Sequence, residues 1–201
     1  DELYFYDRNQ NCFISKFSAG SFLKLLSAEL NIEAIFSFPA RSGQCITSYS
    51  TRIDGFKYHI ESLPAWDSIF SYYKYLFNAQ NFISLKKKVT NIANKGDILW
   101  IRLPSPFGLW LGKEAEKRGK FVIYHVAGDV RYGYLSPKYK GILRLLAKAI
   151  GNYLHKKSFG LGNNGVFLCT GSKLLNFYKS TGKRAIYFID SLISSENLKM
   201  P

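Results

Sequence analysis

The residues in this sequence best suited to chemistry stand together after one apolar run. Phe121 to Val126 carries His125 near its end, and the segment beyond it holds Gly128, Asp129 and Arg131. A neutral imidazole can donate to a hydroxyl, a carboxylate can accept from one, and a guanidinium adds fixed donors. That set suits a polar, hydroxyl-bearing ligand, with His125 as the catalytic candidate. The structural alternative is a buried strand-end His bonded to backbone. Arg102 closes an earlier apolar run, Ile98 to Ile101. Upstream, Gly20 and Ser21 stand before a helical pattern through Leu23, Leu26 and Leu30. A Gly/Ser turn there would present unpaired backbone N–H groups to an anion, or Ser21 merely caps the helix. His59, the other strand-end histidine, reads as a structural residue. No metal ligand set is assigned.

These side chains need a frame, and residues 96–131 supply it. Two apolar runs, Ile98–Ile101 and Phe121–Val126, flank a segment of helical character, Gly108–Arg118, with Gly119 after it. Two buried strands around one helix predict a parallel pair with a right-handed crossover. Groups just beyond the carboxyl ends of such strands line the ligand crevice of an open α/β sheet. Val166–Thr170 extends the sheet, Ser172 reads as the N-cap of a helix through Leu174 and Tyr178, and Ala185–Ile189 is a final strand. Toward the N-terminus, Leu3–Tyr6, Glu33–Phe38 (ended by Pro39) and Phe56–Ile60 read as strands. Arg41–Asp54 reads as a loop with an edge strand, and Pro64–Asn94 as mostly helical. The aromatic spacing of Tyr72, Tyr73 and Phe77 reads as core. The fold class expected is α/β, a Rossmann-like parallel sheet with helices on both faces.

A strand, then R-x-P-x-x-x-G, a helix, G-K, a strand ending in His and then G-D resembles the N-terminal domain of family 4 glycosyltransferases. The residues that carry the resemblance are Arg102, Pro104, Gly108, Gly119, Lys120, His125, Gly128 and Asp129. It implies one half of a GT-B fold over residues 1–190, with 191–201 as an interdomain linker or tail. The donor domain is expected outside the sequence, since that half's paired Glu residues seven apart are missing. Asp190-Ser191-Leu192 stands where the family has an N-G-V-like turn, so that boundary is set by position. The implied function is acceptor binding in a sugar-nucleotide-dependent hexosyltransferase of bacterial glycan or lipid-linked saccharide synthesis. Gly20, Ser21, Arg102, Gly128, Asp129 and Arg131 would contact the acceptor. The domain itself would bind no cofactor and be inactive alone. A nucleotide sugar would be the donor, held by a C-terminal donor domain.

Composition narrows the partners. The chain has 201 residues and a net charge of +14, which calls for an anionic partner or an acidic complement elsewhere in the molecule. Pro137–Lys157 carries Ile142, Leu145, Leu146, Ala149, Ile150, Tyr153 and Leu154 as an apolar stripe, with no acidic residue among them. That stripe is expected to pack on the sheet and leave its lysines in water. Lys86, Lys87 and Lys88, together with Lys140, Arg144 and Lys148, are the candidates for contact with an anionic membrane surface. A sugar or lipid-linked acceptor is the expected partner, at a cytoplasmic location peripheral to the inner face of the membrane. The alternative is a basic α/β nucleic-acid-binding domain, but no helix-turn-helix, RNP or zinc pattern supports it. A dinucleotide enzyme is rejected: Gly160-x-Gly162-x-x-Gly165 follows a helix and precedes a strand, the reverse of the fingerprint. Cys12, Cys45 and Cys169 are too scattered for a disulfide framework and read as buried thiols of a reducing compartment. No basic region followed by an apolar core opens the chain, and no apolar run reaches the ~20 residues of a membrane span.

Overall fold

The structure is a computed structural model that describes residues 4–15, 22, 28–29, 35–43, 51–54 and 59–189. The chain packs as two compact units, Asp1–Tyr75 with Ser191–Pro201, and Leu76–Asp190.

The first unit holds a mixed five-stranded sheet in the order β4-β2-β1-β3-β5. Strands β1 (Tyr4–Asp7) and β2 (Cys12–Ser15) form an antiparallel hairpin. Asn11 takes the left-handed backbone at its turn, a conformation its short polar side chain tolerates. Strand β3 (Ile35–Ser42) is longer than expected, because Pro39 does not end it. Residues 35–39 pair with β5 and Ala40–Ser42 pair with β1, so the proline stands where the strand changes partner. β4 (Thr51–Asp54) is one edge strand and β5 (His59–Leu63) the other, and β5 begins at His59 instead of ending near it. His59 is exposed and lies 3.8 Å from Glu61. Tyr4, Phe13, Phe38 and Ile53 make the core, with Tyr4 stacked on Phe38 at 3.8 Å. Helix α1 (Ile69–Leu76) buries Tyr72, which meets Trp66 edge-on. The aromatic spacing is core only at Tyr72: Tyr73 is half-buried, and Phe77, one position past the end of the helix, is 90% exposed, so its reading as core is corrected.

The second unit is α/β and its sheet is entirely parallel, β6 (Ile98–Leu103), β7 (Phe121–Val126), β8 (Gly165–Cys169) and β9 (Ala185–Tyr187) in chain order. Ile98 pairs with Phe121 and Leu103 with Val126, while Val122 pairs with Gly165. The expected parallel βαβ unit is present. Its flanking helices are α2 (Ala79–Lys95), α3 (Pro106–Lys117), α4 (Gly141–Ser158) and α5 (Ser172–Ser180). The crossovers through α3, α4 and α5 all step the same way along the sheet, and the right-handed connection that is the rule for parallel strands then puts the three helices on one face. On that face Val122, Tyr124, Val126, Phe167 and Cys169 are buried. Tyr124 donates to Glu116 of α3 at 2.6 Å, and Phe167 stacks on Tyr178 of α5 at 4.3 Å. α2 lies against α3, with Phe82 stacked on Trp110.

Helix starts follow local chemistry. Asn78 caps α2 by accepting from the amides of Gln80 and Asn81. Ser105 caps α3 by accepting from Gly108, with Pro106 in the first turn, where its missing N–H is harmless. Gly171, not Ser172, stands at the N-cap of α5; Ser172 is the first helical residue. The glycine pattern at 160–165 is structural, as the sequence indicates. Gly162 has φ +84°, and a Cβ there would come within 2.3 Å of the Phe167 ring. Its amide donates to Glu116, the same oxygen that Tyr124 holds.

Candidate functional site at the carboxyl edge of the parallel sheet

The carboxyl ends of β6, β7 and β8 are stitched together. Ala127 N–H donates to the Leu103 carbonyl, and both the amide and the hydroxyl of Thr170 donate to the Val126 carbonyl. The R-x-P-x-x-x-G motif begins at this edge. Arg102 is exposed on β6, the Leu103–Pro104 bond is cis, and Gly108 packs beneath the turn. A Cβ on Gly108 would stand 2.8 Å from Ser105 Oγ and 2.9 Å from the Arg102 carbonyl oxygen, so the motif glycine is a packing requirement.

Beyond β7, Asp129 caps a 3-10 turn, Val130–Leu135, by accepting from the Arg131 amide. The Arg131 guanidinium returns to the same carboxylate, Nε to Oδ1 at 3.0 Å and Nη2 to Oδ2 at 2.6 Å. This bidentate pair is part-buried, and Arg131 also stands over the Phe177 ring at 5.6 Å. Burial pulls the Asp129 carboxyl upward, but the hydrogen bonds and charge of Arg131 outweigh it and hold the group below its ordinary range. His155 of α4 packs on Phe177 at 4.6 Å and Phe159 at 5.0 Å. Burial and then the Arg131 charge push its imidazole below the ordinary value. Asp129, His155, Leu103, Pro104, Val126 and Tyr178 border a void of about 10 Å³, the space of one water molecule.

The expected site residues do not all meet. His125 and Arg102 are register partners on β6 and β7 and share a sheet face. That face is opposite the helix-covered one, and His125 there is 3% exposed, edge-on to Trp100 at 6.1 Å and Phe188 at 5.1 Å. Gly128, Asp129 and Arg131 belong to the helix-covered side. The sheet thus separates the histidine from the ion pair. Gly20 and Ser21 lie outside the described residues. Lys86, Lys87 and Lys88 are on α2, with α3 between them and α4, which carries Arg144 and Lys148; Lys140 stands at its N-cap. The two basic clusters are therefore separate. His155, Phe177 and Tyr178 complete the Asp129–Arg131 environment without having been singled out. They sit 24 or more positions beyond Arg131, and no local pattern links them to it.

One expectation for α4 is reversed. Positions 142, 145, 146, 149 and 153 share one side of the helix, and the structure turns that side to water. The side that packs is Ala147, Gly151, Leu154 and Ser158. Small residues win because the helix must approach the 3-10 turn closely; a Cβ on Gly151 would lie 2.7 Å from the Val130 carbonyl oxygen.

Cys12 and Cys169 are buried free thiols, and burial pushes the Cys169 thiol up to about 11; Cys45 lies outside the described residues. Among the described residues no helix is long and apolar enough to cross a membrane. Comparison with protein-family models, with curated proteins and with solved structures finds no match to this chain.

Proposed function

We propose that this chain is the acceptor-binding domain of a sugar-nucleotide-dependent glycosyltransferase. The observation that supports it most is the parallel β6–β7–β8 unit with Gly128, Asp129 and Arg131 just beyond its carboxyl end. Open α/β sheets bind ligands there, outside the carboxyl ends of the strands. Arg102 on one side and the Asp129–Arg131 pair on the other offer charged donors and a carboxylate acceptor to sugar hydroxyls or a phosphate-linked acceptor. Asp129 fixes the guanidinium through Nε and Nη2, so Arg131 meets a ligand with its orientation already set. In this reading His125 is the catalytic residue that the family resemblance implies, and the chain holds it buried beside Trp100 and Phe188 on the face opposite Asp129. The nucleotide sugar is the donor, held by a second domain.

The test uses the enzyme that contains this domain. His125→Ala is expected to lower kcat and kcat/KM for transfer together, on the order of 10²-fold, with the KM for nucleotide sugar unchanged. The 201-residue chain alone is expected to turn over no nucleotide sugar. Transfer by the isolated chain, or wild-type kinetics in His125→Ala and in Asp129→Asn, would overturn the proposal.

A further inference from the structure

The outer side of α4 is a surface that packing leaves unexplained. Ile142, Leu145, Leu146 and Tyr153 lie along it and all are exposed, Ile142 at 73% and Leu145 at 68%. Leu143 borders the row, and Tyr132 and Leu135 of the adjoining 3-10 turn are exposed as well. Single exposed leucines are ordinary, whereas a contiguous apolar row marks a contact surface.

The charge around the row is one-sided. From Val130 to Ile189 the sequence contains eleven Lys or Arg residues and no Asp or Glu. Lys138 and Lys140 lead into the helix. Arg144 and Lys148 run along its flank, held over the Tyr134 ring at 5.6 and 5.5 Å. Lys156 and Lys157 close its last turn.

We propose that α4 and the Val130–Leu135 turn dock on a bilayer surface of anionic phospholipid. The apolar row enters the boundary between headgroups and acyl chains, and the flanking Lys and Arg side chains sit at the level of the lipid phosphates. A second copy of the chain fits less well, since it would bring the same positive charge to the same place. Nucleic acid would satisfy the charge but has no use for a row of Ile and Leu, because phosphate contacts are polar. The inner stripe of Ala147, Gly151 and Leu154 already anchors the helix, so the outer row is presented pre-formed. Lys86, Lys87 and Lys88 are not part of this surface. The inference rests on exposure and charge, and it stands or falls apart from the acceptor-domain reading.

Flotation of the 201-residue chain with phosphatidylcholine vesicles, with and without roughly 30% phosphatidylglycerol, tests it. Binding is expected to be at least about tenfold stronger on the anionic vesicles and to fall as salt rises. The triple variant Ile142→Ser, Leu145→Ser, Leu146→Ser is expected to lose roughly tenfold or more while keeping its circular dichroism and melting temperature, since these side chains are exposed. The variant Lys140→Gln, Arg144→Gln, Lys148→Gln is expected to bind more weakly and with a flatter salt dependence. Equal weak binding to both vesicle types overturns the proposal, as does full binding by the serine variant. So does a dimer that the serine variant dissociates in a protein that ignores vesicles. RNA or DNA binding indifferent to the serine variant, again without vesicle binding, has the same consequence.

Discussion

Glu116 receives two donors on one oxygen, the Tyr124 hydroxyl and the Gly162 amide, each at 2.6 Å. Tyr124 is fully buried, and burial first, then this carboxylate, drives its phenol far above the ordinary range. Glu116→Ala would leave a buried hydroxyl without its acceptor, at a cost of about 1–3 kcal/mol. Urea denaturation should show that loss, and a change within error would mean that water replaces the carboxylate. Asp129 carries a pH signature. Its folded carboxyl lies below the ordinary value, so its contribution is present above the unfolded pKa and disappears as pH falls through the folded one. Asp129→Asn should therefore be less stable than wild type at pH 7, by about 1 kcal/mol given the exposure of Arg131. The difference should vanish in acid, and an equal difference at pH 7 and pH 3 would assign the effect to packing. That polar residues follow β7 is legible in the sequence. Which face of the sheet His125 and Asp129 would occupy is not, because the two are four positions apart and a turn intervenes. A loop of that length can deliver a side chain to either face.

At the level of elements, apolar runs and turn residues located β6, α3, β7 and β8 to within about two residues, since buried parallel strands read as continuous apolar runs. The hairpin strand β2 leaves no signal in the sequence, because four residues are too few for a period to appear. The packing side of α4 is hidden from the sequence for a different reason. Apolar residues lie on both of its sides, and spacing cannot say which one faces inward when the inner one is built from Ala and Gly. Gly151 is the residue that decides it. Gly151→Val should push α4 off the 3-10 turn, lowering stability by about 1–3 kcal/mol. Amide hydrogen exchange across 141–158 should accelerate with it. Unchanged exchange would show that the turn yields and the helix stays.

At the scale of the molecule, two units with different sheets stand where the sequence suggests one domain over 1–190. The first has mixed pairing and returns along itself; the second advances in one direction. Charge is divided as unevenly as topology. Every acidic side chain of the second unit up to Ile189 precedes Val130, so a chain of net +14 carries its excess toward one end. An excess of one charge sign on a surface raises the rate at which it meets partners of the opposite sign. The strand order β6-β7-β8-β9 has a consequence in time as well as in space. Each strand finds its only earlier partner in the one synthesised just before it, across a single crossover helix. Nothing in that sheet waits for a distant segment, so loop-closure entropy stays low at every step and assembly can keep pace with the ribosome. The first sheet differs: β3 must slide in beside β1, after β2 has taken the other edge, and its N-terminal half is completed only when β5 arrives.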